Sequence, residues 1–148
     1  MLVERDTYMT REQIVAALNS MQRAWNARDP VALAALFAEN ALVHSPIFGE
    51  LKGRLAIEKS YRDLFRGFAD WTFEGQDVIV DGSRAAQLFN VTATHTSDMF
   101  GVDATHRSFK VKGVLVFEFR DGKIVYEQRL YDFTALLLQV GVLKARPL

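Results

Sequence analysis

The stretch FKVKGVLVFEFRDGKIVYEQRLYD, residues 109–132, decides the fold. Two apolar-rich runs flank Asp121-Gly122, a dipeptide that favours a two-residue hairpin turn because both positions tolerate a positive φ. Strands are therefore expected over 109–120 and 123–132. Such a turn pairs Arg120 with Lys123, and the register then sets Asp132 opposite Val111, Leu130 opposite Gly113, Gln128 opposite Leu115 and Tyr126 opposite Phe117. Alternation gathers these eight residues on one apolar face. Lys110, Lys112, Glu118, Val125, Glu127 and Arg129 fall on the other, which suits solvent or a polar dimer interface.

Asp132 stands between this hairpin and an apolar helical run, Phe133 to Val140, closed by Gly141 as a C-terminal cap. Two readings of its carboxylate are open. Asp is among the best N-cap residues, and capping helix 133–140 accounts for it fully. A carboxylate on the apolar face is also what a proton-shuttling acid requires.

Upstream, Trp71 to Val80 and Arg84 to Thr96 read as strands joined at Asp81-Gly82, and Ser97 to His106 as a loop of about ten residues. Three helices are expected before them. Thr10-Arg11-Glu12-Gln13 fits a capping box, followed by Ile14, Leu18, Met21 and Trp25 at helical spacing. Asp29-Pro30 restarts a helix with Leu33, Leu36 and Phe37 inward. From Arg54 a third carries Ile57, Tyr61, Leu64, Phe65 and Phe68. Ala41 to His44 is a short strand, and Gly49 to Gly53 a turn. Helices first and a meander of antiparallel strands after them make one α+β domain over 1–148, with helices packed on one face of a curved sheet.

Composition narrows the function. The 148 residues carry 18 basic and 18 acidic side chains, so no net field favours nucleic acid or an anionic membrane. There is no cysteine, which excludes disulfides, thiol nucleophiles and Cys-ligated zinc. The three histidines have no ligand-like spacing, so no metal is expected. MLVERDTYMT lacks the apolar core of a signal peptide, and no apolar run reaches the ~20 residues that span a bilayer. The expectation is a cytoplasmic protein. Eleven Phe, four Tyr and two Trp are many large apolar groups for a core of this size, and some are candidate cavity walls, with plain core the competing reading of each. Trp25, Tyr61, Phe65, Trp71 and Met99 are such walls, and Phe48 and Phe100, in loops, are candidates to border an entrance. His95, on the strand face of Phe89, Val91 and Ala93, is a second candidate acid/base group or a core histidine. His44 closes the first strand beside Pro46.

Several segments together resemble the polyketide cyclase-like (SnoaL-like) group of the NTF2-like superfamily. They are Trp25-Asn26 with Asp29; Val43-His44-Ser45-Pro46 with Lys52-Gly53-Arg54; Phe68-Ala69-Asp70-Trp71; Thr94-His95-Thr96 with Gly101; Asp121-Gly122-Lys123-Ile124; and Tyr131-Asp132 leading into Leu136 to Gly141. The resemblance spans Ile14 to Leu143. It implies a cone whose curved sheet and helices enclose an apolar pocket, usually in a homodimer, with no metal or organic cofactor. It also implies that Asp132 matches the general acid/base of the aldol-condensing cyclases. The chain departs from the group's pattern at Val102 to Arg107 and at Glu118, where some cyclases carry a His.

The expected function is thus a cofactor-free acid/base enzyme on a small apolar carbonyl compound, with Asp132 and His95 catalytic and polyketide-type aldol cyclisation the most specific form the resemblance permits. Trp25, His44, Phe48, Tyr61, Phe65, Trp71, Met99, Phe100 and Gln128 would contact substrate. The alternatives are a non-catalytic binder of a small apolar or aromatic ligand, and an isomerase, dehydratase or epoxide hydrolase relative.

Overall fold

The computed structural model describes residues 8–146, so the leader reading of the first residues lies largely outside it. Helix α1 (Arg11–Ala27) opens on the expected capping box. The Thr10 hydroxyl accepts from the Gln13 N–H at 3.2 Å, and the Gln13 amide oxygen accepts from the Thr10 N–H at 2.8 Å. Its apolar stripe, Ile14 to Trp25, is buried. A short α2 (Pro30–Ala34) is capped by Asp29, and α3 (Arg54–Gly67) buries Ile57, Tyr61 and Leu64.

Six strands follow or intervene: β1 (Phe37–Ser45), β2 (Gly49–Lys52), β3 (Thr72–Asp81), β4 (Arg84–Thr94), β5 (Ser108–Arg120) and β6 (Lys123–Tyr131). They form one curved open sheet in the order β2-β1-β6-β5-β4-β3. A last helix, α4 (Phe133–Gln139), clips onto β5 where the Gln139 amide bonds both backbone groups of Lys110. The α+β class is as expected, with helices and the concave sheet face enclosing the core.

Several local expectations are corrected. The segment from Gly49 is an edge strand, not a turn; its charged, exposed side chains hide a backbone pairing with β1. Phe37 opens β1 instead of extending α2, and its carbonyl accepts two N–H groups of Arg54, at 2.7 and 3.0 Å. β1 runs parallel to β6, a departure from an all-antiparallel meander.

The largest correction concerns the hairpin of 109–132. Asp121 and Gly122 adopt φ of 51° and 80° as the turn requires, and Arg120 pairs with Lys123. Between Phe119 and Glu118 the register shifts, so Phe119 pairs with Ile124 but Glu118 pairs with Tyr126. Val125 is the extra residue of a β-bulge, and one extra residue turns every later side chain to the opposite face. Glu127, Arg129 and Tyr131 therefore point into the cone, while Gln128 and Leu130 point out.

Three cross-strand rows result on the concave face: Ala85–Phe117–Glu127, Gln87–Leu115–Arg129 and Phe89–Gly113–Tyr131. Gly113 is required in the last row. A Cβ there would lie 2.7 Å from Phe89 Cζ and collide with the Leu130 carbonyl oxygen.

Candidate functional site

The cone contains a narrow apolar cavity of about 20 Å³, the space of about one water. Trp25 of α1 and Leu64 of α3 form one side, and Phe89, Val91 and Leu115 of the sheet the other. Trp71 and Phe73 continue the aromatic wall, and Ser45, Ile47 and Phe48 border it from the β1–β2 hairpin. Only Arg129 brings a charge to this lining, and Tyr131 stands beside it.

Local structure fixes each of these groups. Asn26, next to Trp25, accepts from the Phe73 N–H at 2.9 Å and donates to its carbonyl at 3.0 Å, which locks α1 to β3. Trp25 then stacks on Phe73 and Trp71, with centroids at 5.5 and 5.8 Å. Arg129 donates its Nε–H to Glu127 at 2.7 Å and an Nη2–H to the Tyr61 hydroxyl at 2.9 Å. Its guanidinium also lies 5.0 Å above the Tyr61 ring centroid. Glu127 is fully buried and Arg129 nearly so, and Glu127 Oε2 has no hydrogen-bond partner among the described residues.

Burial disfavours the charge on Arg129, but Glu127 and the Tyr61 oxygen more than offset it and push its pKa up. Burial likewise raises the Tyr61 and Tyr131 hydroxyls well above the ordinary tyrosine value, against the opposing pull of Arg129. Both stay neutral phenols at working pH. The Ser45 hydroxyl oxygen accepts from the Ile47 and Phe48 N–H groups at 3.2 and 3.1 Å, which holds Ser45 in the cavity lining beside Tyr131. Among the described residues the indole N–H groups of Trp25 and Trp71 are buried without partners, so the residues of the cavity wall are rich in donors, and their acceptors are the hydroxyls of Ser45 and Tyr131.

The expected site residues divide. Trp25, Phe48 and Trp71 line the cavity. Tyr61 and Phe65 stand behind the lining, against Trp25 at 5.1 and 5.8 Å, and Tyr61 acts through Arg129. Gln128 and His44 are paired neighbours on the outer face, where His44 packs on Tyr126. Met99 lies over Gly67, and Phe100 packs between Phe68 and Phe133, both away from the cavity. Asp132 is exposed and caps α4, accepting from the Ala135 N–H at 2.8 Å, so the bulge removes it from the face on which it was expected. Sequence reasoning missed Arg129, Glu127, Tyr131 and Ser45. Their only sequence signal is the spacing of Glu127, Arg129 and Tyr131 at every second position, read one face out of phase.

His95 is fully buried, but under the loop 95–107 instead of in the cavity, with its ring 5.6 Å from that of Phe68. Its Nδ1 accepts from the Thr105 N–H at 3.2 Å, which assigns the proton of the neutral ring to Nε2. Burial lowers its pKa and His106 adds to this, while the Ser97 backbone and Asp98 oppose. The unfolded chain therefore binds a proton at His95 that the folded chain resists. Stability is intact above the ordinary histidine pKa of about 6.5 and falls as the pH drops below it. Thermal unfolding from pH 8 to 5 should show that loss. His95→Asn, which keeps an acceptor near Nδ1 and cannot titrate, should flatten it; an equally steep profile in the variant would assign the loss elsewhere.

Among the described residues, no group of three His, Asp or Glu side chains is placed to hold a metal ion, and no helix is long and apolar enough to cross a membrane.

Fold and cavity together define a cone-shaped α+β domain of the ketosteroid isomerase-like, NTF2-like kind. The chain belongs to the SnoaL-like domain family, whose model matches residues 18–127. Among solved structures it is similar to AclR of Streptomyces galilaeus, for which a hydroxylase role is suggested (24% identity, 93% of this chain and 87% of that one, TM-score 0.81). It is also similar to IdmH of Streptomyces antibioticus, for which a polyketide cyclase role is suggested (24% identity, 86% and 97%, TM-score 0.71). A Catenulispora acidiphila protein with a ketosteroid isomerase-like fold, in complex with trimethylamine, gives 18% identity, 90% and 95% coverage and a TM-score of 0.73. No curated protein matches the sequence.

Proposed function

We propose that the protein is a cofactor-free enzyme that binds a small, largely apolar carbonyl compound and polarises its carbonyl with Arg129 and Tyr131. One observation carries this reading: an apolar cavity whose polar groups are almost all hydrogen-bond donors. A carbonyl oxygen satisfies such donors. As solvent acting as base takes a proton from the neighbouring carbon, negative charge grows on that oxygen, where donors already in place stabilise it most. Tyr131, a neutral phenol, is the acid of the pair. Aldol cyclisation is the specific reaction this arrangement and the family suggest. Asp132 takes a positioning part, since its cap fixes the end of the strand that carries Tyr131.

The test is deuterium exchange at the methyl group of 2-acetylnaphthalene in D₂O, followed by NMR. Wild type should accelerate exchange, and Tyr131→Phe should lose about 10²–10³-fold of that acceleration. Binding without acceleration would favour the second reading, a non-catalytic binding protein. That reading has its own support, because no carboxylate lines the cavity.

The outer sheet face suits a homodimer. Leu88 and Leu130 are 41% and 43% exposed, joined across the strands by Val114. Leu130→Lys should convert a dimer to monomer in sedimentation; a wild type already monomeric at high concentration removes this part.

A further inference from the structure

Glu127 stands one row deeper in the cone than Arg129 and pairs with Val43 and Phe117 in the sheet. Its carboxylate is fully buried, with Oε1 2.7 Å from Arg129 Nε and Oε2 without a partner. The pair is thus isolated, and its net charge is zero. A guanidinium has five N–H donors, and among the described residues two of those of Arg129 go to side chains, one to Glu127 and one to Tyr61. The cavity consequently meets short-range donors without a net positive field.

Those two properties act on different ligands. A neutral carbonyl oxygen needs only the donors. A carboxylate needs the donors and a positive field as well, because it sheds its hydration on entering an apolar cavity. An Arg129 without Glu127 would supply that field. We infer that Glu127 sets the charge class of the ligand: the cavity accepts a neutral carbonyl compound and rejects the corresponding carboxylate. This rests on the reading of the cavity as a ligand site, and it makes Glu127 a specificity-determining residue that acts through Arg129.

The probes are 2-acetylnaphthalene and 2-naphthoate, nearly the same in shape and different in charge, titrated into wild type and Glu127→Gln by ligand-observed NMR and calorimetry. Wild type should bind the ketone at least about tenfold more tightly than the carboxylate. Glu127→Gln should shift that ratio towards naphthoate by about a hundredfold, the effect of removing one unit charge a guanidinium's length away at the effective dielectric of protein sites. A ratio unmoved in the variant overturns the inference and leaves the ligand site standing. Wild type that binds naphthoate as tightly as the ketone overturns it without any variant, which covers a Glu127→Gln protein that does not fold. Wild type that binds neither probe overturns the inference together with the ligand-site reading.

Discussion

Glu127→Ala should lower the unfolding free energy by about 3–5 kcal/mol, the cost of leaving a buried charge without its partner. Arg129 is 6% exposed, so water cannot replace the lost carboxylate. The Tyr61 hydroxyl would remain as an acceptor, but a neutral oxygen does not balance a charge. Glu127→Leu combined with Arg129→Met should recover most of the loss, because apolar groups of similar volume often replace a buried ion pair at little cost. Urea unfolding of wild type, both single variants and the double variant measures the coupling. A loss under about 1 kcal/mol in Glu127→Ala would mean that the guanidinium turns out to solvent, and the cavity would then lack the donor on which its chemistry depends.

This pair also explains where sequence reading succeeded and where it stopped. The capping box at Thr10, the turn at Asp121-Gly122 and the Asp132 cap are local: each depends on hydrogen bonds within a few residues, and the residue types alone state them. The stripe from Ile14 to Trp25 follows from helical period alone. The candidate site was not local. Alternation gave Tyr126, Gln128 and Leu130 the inward face because it counts Glu127 and Arg129 as two charges that water should keep. Nothing in their composition says that they neutralise each other. The bulge at Val125 decides the matter, yet Ile-Val-Tyr is as good a straight strand as a bulged one. Asp132 shows the same limit in reverse. Its capping role was legible from the sequence, and only the register made it look inward.

The aromatic wall gives the second large expectation, centred on Trp25. Its ring is 3% exposed, stacked on Phe73 and Trp71 and edge-on to Tyr61 and Phe65. Trp25→Ala should therefore cost about 3–5 kcal/mol in unfolding free energy. Trp25→Phe keeps most of the packing and should cost about 1–2 kcal/mol, because the indole N–H it deletes has no partner among the described residues. Ligand binding should rank the two properties differently. If the idle N–H meets a ligand oxygen, Trp25→Phe should weaken 2-acetylnaphthalene about tenfold, the worth of one hydrogen bond, despite its small effect on the fold. Equal affinities for wild type and Trp25→Phe would make Trp25 a wall only. The donors to the carbonyl would then have to be found entirely at Arg129 and Tyr131, the two on β6 that the bulge turns inward.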